Sequence, residues 1–396
     1  MNVLYLAQRV PYPPNRGDKI AAYHAIRYLA RRHAVTVAAI ADSEQELEHA
    51  RVLESQGFQM EVELRRAFTA RVRVLQAFFN GNALSVAHYH SAALERRVAQ
   101  RLQQGGYDVV VVFSSSMGQY VPQRLGVPLV ADFVDMDSRK WDLYAGATHW
   151  PQSWVFATEA RRLLEYERHL ARRAYCTLVS TEIELRDCER LIPGARVEIL
   201  RNGVDLEYFT PDGRVTSGGQ LVFTGMMDYY PNVQAVTYFC DEIFPLIRRK
   251  VSDATFVIVG ARPTKQVLAL SDRPGVTVTG QVPDVRPYLR SSAVAVAPLL
   301  LARGVQNKVL EARATGLPVV SSVPAFQGTG APEGEGILVA KSSGDFAELV
   351  VGLLLEPAKA TELGQRARSF VEQNCVWEKH LAQLESLLLE AAGSAR

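Results

Sequence analysis

Residues 293–322, AVAVAPLLLARGVQNKVLEARATGLPVVSS, constrain the fold more than any other stretch of this chain. An apolar run at 293–297 has the character of a buried strand, and Pro298 ends it. A loop carrying Arg303 and Gly304 follows. A helix over about 306–314 comes next, closed by Gly316 and Pro318, which are ordinary helix-stop signals. A second apolar strand begins at 318–320. Strand, loop, helix and strand in this order form the building block of a parallel α/β sheet.

The start of that helix has a chemistry of its own. Free backbone N–H groups at a helix N-terminus attract anions. Arg303 stands just before them and Lys308 lies in the first turn. Glu311 follows three residues later on the same face. Two cations beside a helix start suit a diphosphate. A carboxylate one turn deeper suits ribose hydroxyls, because it only accepts hydrogen bonds. The plainer reading is a surface Lys308–Glu311 pair worth ~0.2–0.5 kcal/mol.

The rest of the chain repeats the alternation in two rounds. The first opens with an apolar strand at 2–7, a Pro-rich loop at 11–19, a helix over about 19–32 and a strand at 35–40. This is a Rossmann-type start. The loop lacks GxGxxG, so no dinucleotide fingerprint is present. Its Gly17 permits close backbone approach, with Arg16 and Lys19 on either side. A buried-type strand at 108–113 leads into Ser114, Ser115 and Ser116, and another at 127–133 leads into Asp132, Asp135, Asp137 and Lys140. Asp135-Met-Asp137 is a D-x-D, which alone is a weak sign of a metal site. In the helix that follows, Glu159, Arg162, Tyr166, Glu167 and Arg168 mix charge signs and read as a solvated face. A Pro/Asp/Gly/Ser-rich stretch at 206–219 reads as a domain boundary. The second round begins with a strand at 220–224, Gly225 and Met226, and continues with 255–260 and 276–284, which include Gly260 and Val282. The last segment, 376–392, is Leu-rich and helical.

Composition narrows the classes. A length of 396 residues implies two or three domains. Net charge is +2, so there is no global signal for a polyanion. Four scattered cysteines without zinc spacing read as free thiols in a reducing compartment. The first ten residues do not form a signal peptide, and no run of about 18 apolar residues exists, so a cytoplasmic location is expected. One segment is locally biased. Residues 65–101 carry seven arginines against one glutamate, interleaved with Phe68, Val72, Leu75, Phe78, Phe79 and Tyr89. A basic aromatic stretch of this kind reads either as a membrane-surface patch or as helices with a solvated basic face and a buried aromatic one.

The run GVQNKVLEARATGLPVV at 304–320 resembles the nucleotide-sugar motif of family-4 retaining glycosyltransferases. The segments PYPPNRGDK at 11–19, DFVDMDSRKW at 132–141 and GVQNKVLEA at 304–312 resemble, more narrowly, sugar transferases associated with PEP-CTERM/exosortase exopolysaccharide systems. The resemblance covers nearly the whole chain. It implies the α/β GT-B architecture: two Rossmann-like α/β/α domains facing across a cleft, with a C-terminal helix crossing back to the first. The expected division is 1–205 on the acceptor side, 206–372 on the nucleotide-sugar side and 373–396 for that helix. The implied donor is a nucleotide-diphosphate sugar, with no cofactor and no metal. The implied acceptor is a polyprenyl- or lipid-linked saccharide met at the inner membrane surface through 65–101, with no nucleic-acid partner.

The resemblance also assigns residues. Gly17, Gly225, Met226, Gly260, Val282, Arg303, Gly304, Asn307, Lys308 and Glu311 fall at donor-side positions, with Arg303 and Lys308 on the diphosphate. Asp135, then Asp137, are the candidates for orienting an acceptor hydroxyl. Several positions depart from the family pattern. Val134 stands where a His is common, Met226 where an Arg is usual, Asn232 near a usual Lys, and Arg303 at the first Glu of E-x7-E. Because of these departures, two other readings stand beside the transferase: a non-catalytic polysaccharide-assembly scaffold, and a nucleotide-sugar epimerase. A nucleic-acid binder using the 65–101 face is a third, and it predicts steep salt dependence.

Overall fold

The computed structural model describes residues 1–212 and 218–394. The chain forms two compact units, Met1–Arg201 with Glu378–Arg396, and Asn202–Trp377. The first unit thus ends at Arg201, before the 206–219 stretch, whose residues 213–217 lie outside the described residues.

The first unit holds a seven-stranded parallel sheet of β1 (Asn2–Ala7), β2 (Ala34–Ala41), β3 (Gln59–Leu64), β4 (Val109–Phe113), β5 (Leu129–Val134), β6 (Cys176–Val179) and β7 (Val197–Ile199). The strand order is β3-β2-β1-β4-β5-β6-β7. Its inner strands read as continuous apolar runs because helices cover both faces; every residue of β4 is buried. The order reverses between β1 and β4. Ligands of open α/β sheets bind outside the carboxyl ends of strands at such a point.

The helix Gln152–Arg173 corrects the sequence expectation of a solvated face. Glu159 and Glu167 are buried together with Ala160, Leu163 and Leu170. Glu159 accepts the N–H groups of Leu84 and Ser85, at 2.6 and 2.8 Å, at the start of the short helix Leu84–His88. Glu167 accepts Ser138 N–H at 3.2 Å and also pairs with the Ser138 hydroxyl, in the first turn of the helix Asp137–Ala147. Each carboxylate satisfies orphan donors at another helix's start. Those partners are far away in sequence, so charge alternation alone pointed the wrong way.

The C-terminal helix Trp377–Ser394 seats Leu381, Leu384, Leu387 and Leu388 in buried positions. Within the first unit, Glu385 bonds His33 at 2.8 Å and accepts Tyr28 Oη at 3.2 Å. Glu390 accepts from Tyr175 Oη at 2.7 Å and from Arg196 at 3.0 Å.

The second unit repeats the plan with six parallel strands: β8 (Gln220–Thr224), β9 (Thr255–Val259), β10 (Val276–Gly280), β11 (Val294–Ala297), β12 (Val319–Ser322) and β13 (Ile337–Ala340). Their order is β10-β9-β8-β11-β12-β13, so the reversal falls between β8 and β11. The helix of the 293–322 stretch runs Asn307–Ala314. Gly336, just before β13, has φ +80°, and a Cβ there would lie 2.1 Å from Ala367 Cα in the helix Pro357–Asn374. Gly336→Ala combines left-handed strain with a backbone clash and is expected to destabilise the chain by at least about 2 kcal/mol. A thermal melt reads this directly. Among the described residues, no helix is long and apolar enough to cross a membrane.

Candidate functional site

In the second unit, the sequence-predicted residues converge at the β8/β11 switch point. Lys308 is half-buried. Its Nζ donates to Asn232 Oδ1 at 2.8 Å and lies 4.9 Å from the centre of the Phe223 ring. Asn232 is buried and donates in turn to the Met226 carbonyl at 2.9 Å. Met226 therefore contributes its backbone oxygen here. Gly225 must be glycine: a Cβ would lie 2.7 Å from Asn232 Nδ2 and 3.4 Å from Lys308 Cε. Gly260, at the end of β9, closes the same corner, since its Cβ would fall 1.7 Å from the Gly225 carbonyl oxygen.

Glu311 sits one turn along the same helix face, half-buried. Burial pulls the Lys308 ammonium down to about 8, against the opposing pull of Glu311. Burial likewise pushes the Glu311 carboxyl up to about 7, with Lys308 opposing. Each group loses solvation, and each charge supports the other. The helix N-cap, Gln306, places no side-chain oxygen on the first N–H groups and instead donates to the Arg303 carbonyl at 3.1 Å. Gly304 is buried with φ +67°, turning the chain into the helix. Asn307 Oδ1 accepts from Asn202 at 3.2 Å. Val282 packs on the core beyond β10, two strands out from β8. One cation escaped the sequence reading. Arg262, after β9, has φ +55° and pairs with Asp228 at 3.0 Å, in the loop that follows Gly225. Its only sequence signal was its place after a strand end.

In the first unit, polar groups gather at the β1/β4 switch point. Gln8 Nε2 donates to Ser114 Oγ at 3.1 Å and to Ser116 Oγ at 2.9 Å. Asp132, at the end of β5, is buried; its carbonyl accepts Ser114 N–H at 2.8 Å and its carboxylate accepts Val134 N–H at 2.9 Å. Burial pushes the Asp132 carboxyl up to about 7, with the Val134 N–H opposing and the Asp135 charge adding to the rise. Asp135 Oδ1 accepts from Ser180 Oγ at 2.6 Å. Asp137 is paired with Lys140, one turn on.

Val134 has φ +62°, a left-handed conformation that costs a β-branched residue about 1–2 kcal/mol. The surroundings hold it there. Ser180 N–H donates to the Val134 carbonyl at 2.7 Å, Met136 N–H to buried Glu184 at 2.8 Å, and Ser138 to Glu167. The loop bearing Asp135 is thus fixed at both ends by buried acidic side chains. Strain of this kind gathers at functional sites. Gly17 is exposed at the start of the helix Gly17–Leu29. Its neighbour Lys19 is buried on Glu46 at 2.5 Å and is no open cation.

Two family models match this chain. Residues 17–203 match the one described as glycosyl transferase 4-like domain, and residues 218–356 the one described as glycosyl transferases group 1. Among solved structures, a sucrose-phosphate synthase from Thermosynechococcus elongatus covers all of this chain and all of its own length, with a TM-score of 0.73 at 15% identity. HepE of Anabaena in complex with UDP covers 98% of this chain and 100% of its own, with a TM-score of 0.69 at 14% identity. A curated relative, the GDP-mannose-dependent alpha-(1-6)-phosphatidylinositol monomannoside mannosyltransferase of Mycobacterium tuberculosis, is 29% identical over 241 residues. That match spans 54% of this chain and 60% of the relative. Two parallel Rossmann-like sheets with these matches define the GT-B fold. The chain carries the paired domains of a family-4 GT-B glycosyltransferase.

Proposed function

We propose that this chain transfers a sugar from a nucleotide-diphosphate sugar to a saccharide acceptor. The observation that carries the reading is the Lys308–Asn232–Gly225 corner at the β8/β11 switch point, with Glu311 a turn deeper. Lys308 and the uncapped helix start supply positive potential for a leaving diphosphate, and Arg303 adds a cation in the preceding loop. Glu311 accepts from ribose hydroxyls. Asp135, held by Ser180, orients the acceptor hydroxyl, and Asp137 stands beside it in the same loop. Neutralising the diphosphate with protein cations is transfer without a metal. Retention of anomeric configuration is what the family resemblance implies.

The acceptor in this reading is a lipid-linked saccharide of an exopolysaccharide system of the PEP-CTERM/exosortase type. The chain works as a cytoplasmic protein bound peripherally to the inner membrane surface. The nucleotides named for similar proteins differ, UDP in the HepE complex and GDP-mannose for the mycobacterial mannosyltransferase, so the base is open to measurement. A thermal-shift panel of UDP-, GDP-, ADP- and dTDP-sugars decides it. Ligand at ~100 times its dissociation constant raises stability by ~2.7 kcal/mol. One nucleotide series is expected to shift the native chain and to leave Glu311→Ala unmoved. No shift with any donor sinks the transferase reading in favour of an assembly scaffold. Turnover of the nucleotide sugar without acceptor moves it to an epimerase.

A further inference from the structure

The helix Ala67–Asn80 turns two apolar faces in opposite directions. One, with Ala70 and Ala77, is buried against the first unit. The other, Phe68, Val72, Leu75 and Phe79, is spaced by four, three and four residues, which is a single stripe on a helix. At ~100° per residue this stripe points away from Ala70 and Ala77. It is solvated along its whole length: Phe68 is 78%, Leu75 60% and Phe79 77% exposed. Nearby, Trp154 is exposed with its ring 5.9 Å from that of Phe78, and Trp150 is 82% exposed just before the helix Gln152–Arg173. Arg162 on that helix donates to the Phe78 carbonyl at 3.1 Å and ties the two helices together.

The arginines of the segment tell a different story from their number. Arg65 is paired with Asp42 at 2.8 Å and Arg97 with Glu63 at 3.2 Å. Arg101 is held by Glu61 and Arg73 by the His90 carbonyl, and Arg96 donates to the Ala92 carbonyl at 3.2 Å. Arg66, at the start of the striped helix, and Arg71, in its second turn, are exposed. Five of the seven arginines are thus engaged by partners of this chain, Arg96 and Arg97 while still exposed, whereas the apolar stripe has no such cover.

We infer that Phe68, Val72, Leu75 and Phe79, with Trp150 and Trp154, insert into the interface of an anionic bilayer, so that the chain is held by apolar insertion and only trimmed by charge. Large aromatic and aliphatic side chains on one helix face, with Trp at the margin, suit the boundary between headgroups and acyl chains. Arg66 and Arg71 supply the complement to anionic headgroups. This deepens the membrane contact within the proposed function, yet it is tested without donor or acceptor.

The experiment is flotation of the full chain with vesicles of phosphatidylcholine alone or with phosphatidylglycerol, at low salt and at about 0.5 M NaCl, where surface charges are screened within a few ångströms. Native protein is expected to float with the mixed vesicles and to lose no more than about 30-fold of its binding at high salt, the share that two arginines at ~1 kcal/mol each contribute. Phe68→Ser with Phe79→Ser is expected to lower partitioning by roughly tenfold or more, while the melting temperature stays unchanged. Arg66→Glu with Arg71→Glu weakens binding only to the anionic vesicles. Brominated lipid quenches tryptophan fluorescence of the native chain, a readout that needs no variant. Absence of native binding overturns the inference, as does binding that high salt abolishes and the double serine variant leaves alone. A lipid-free dimer that the double serine variant dissociates assigns the stripe to a second copy and overturns it equally. Failure here with an intact donor thermal shift removes the membrane device and leaves the transferase reading standing.

Discussion

Lys308→Ala binds the nucleotide-diphosphate sugar roughly 10- to 100-fold more weakly than the native chain, the loss expected when a charge-assisted hydrogen bond worth about 1.5–3 kcal/mol disappears. The effect has a pH signature. The Lys308 ammonium sits at about 8 in the free protein because burial disfavours its charge. A diphosphate placed against it restores that charge, so binding takes up a proton above about pH 8 and affinity falls as pH rises further. Glu311 acts from the other side. Its carboxyl sits at about 7, so below that pH it is protonated and a poorer acceptor for ribose hydroxyls. Donor affinity is therefore expected to peak between about 7 and 8 and to decline on both flanks. Calorimetry in two buffers of different ionisation enthalpy measures the proton uptake. Lys308→Met removes the alkaline limb and Glu311→Gln the acid limb. Equal affinity of native and Lys308→Ala protein would place the diphosphate elsewhere.

The second large effect is on stability. Glu167 lies in the core with its carboxyl pushed by burial from 4.5 up to about 8. The folded state thus holds a proton that the unfolded chain releases near 4.5. Its contribution is fully present below about pH 4.5 and is lost as pH rises through about 8. Glu167→Gln keeps the geometry: the amide oxygen accepts Ser138 N–H and the amide N–H donates to Ser138 Oγ. The variant is expected to match the native chain near pH 4 and to exceed it by up to about 5 kcal/mol at pH 9, at ~1.36 kcal/mol per pH unit. Asp132 and Glu311 are raised in the same direction and slope both proteins alike, so the difference between the two melts isolates Glu167. Glu167→Ala is the opposite case. It strands the Ser138 donors in the core and is expected to cost about 3 kcal/mol near pH 4, a deficit that shrinks as pH rises and the native carboxyl ionises. A difference between native and Glu167→Gln that stays flat with pH would show that the carboxyl titrates normally.

The Lys308 group was legible where its signals were local. Lys308 and Glu311 announce themselves by helix spacing, and Gly225 by its place after an apolar strand. The role of Asn232 was not legible, because a residue at the position of a missing cation turned out to hold another cation in place through Met226. Asp132 was named among three acidic residues, yet only its burial separates it from Asp137, which is paired with Lys140. Val134 was read as a departure in residue type. Its consequence lies in backbone conformation, which depends on Glu184, Ser180 and Asp132 closing around the loop.

By itself the sequence determined the two rounds of parallel strand and helix, since apolar runs and helix stops act within a few residues of the chain. It also determined the helix Asn307–Ala314, with Lys308 in its first turn and Glu311 one turn on. The tertiary structure alone decided which charges are solvated and which apolar side chains are not. Glu159 and Glu167, which the sequence read as surface, are buried because distant N–H groups need acceptors. Phe68 and Phe79 are exposed because Ala70 and Ala77 on the opposite face of the same helix take the packing. Burial is a property of what lies across from a residue, and that neighbour is set by chain segments dozens of positions away.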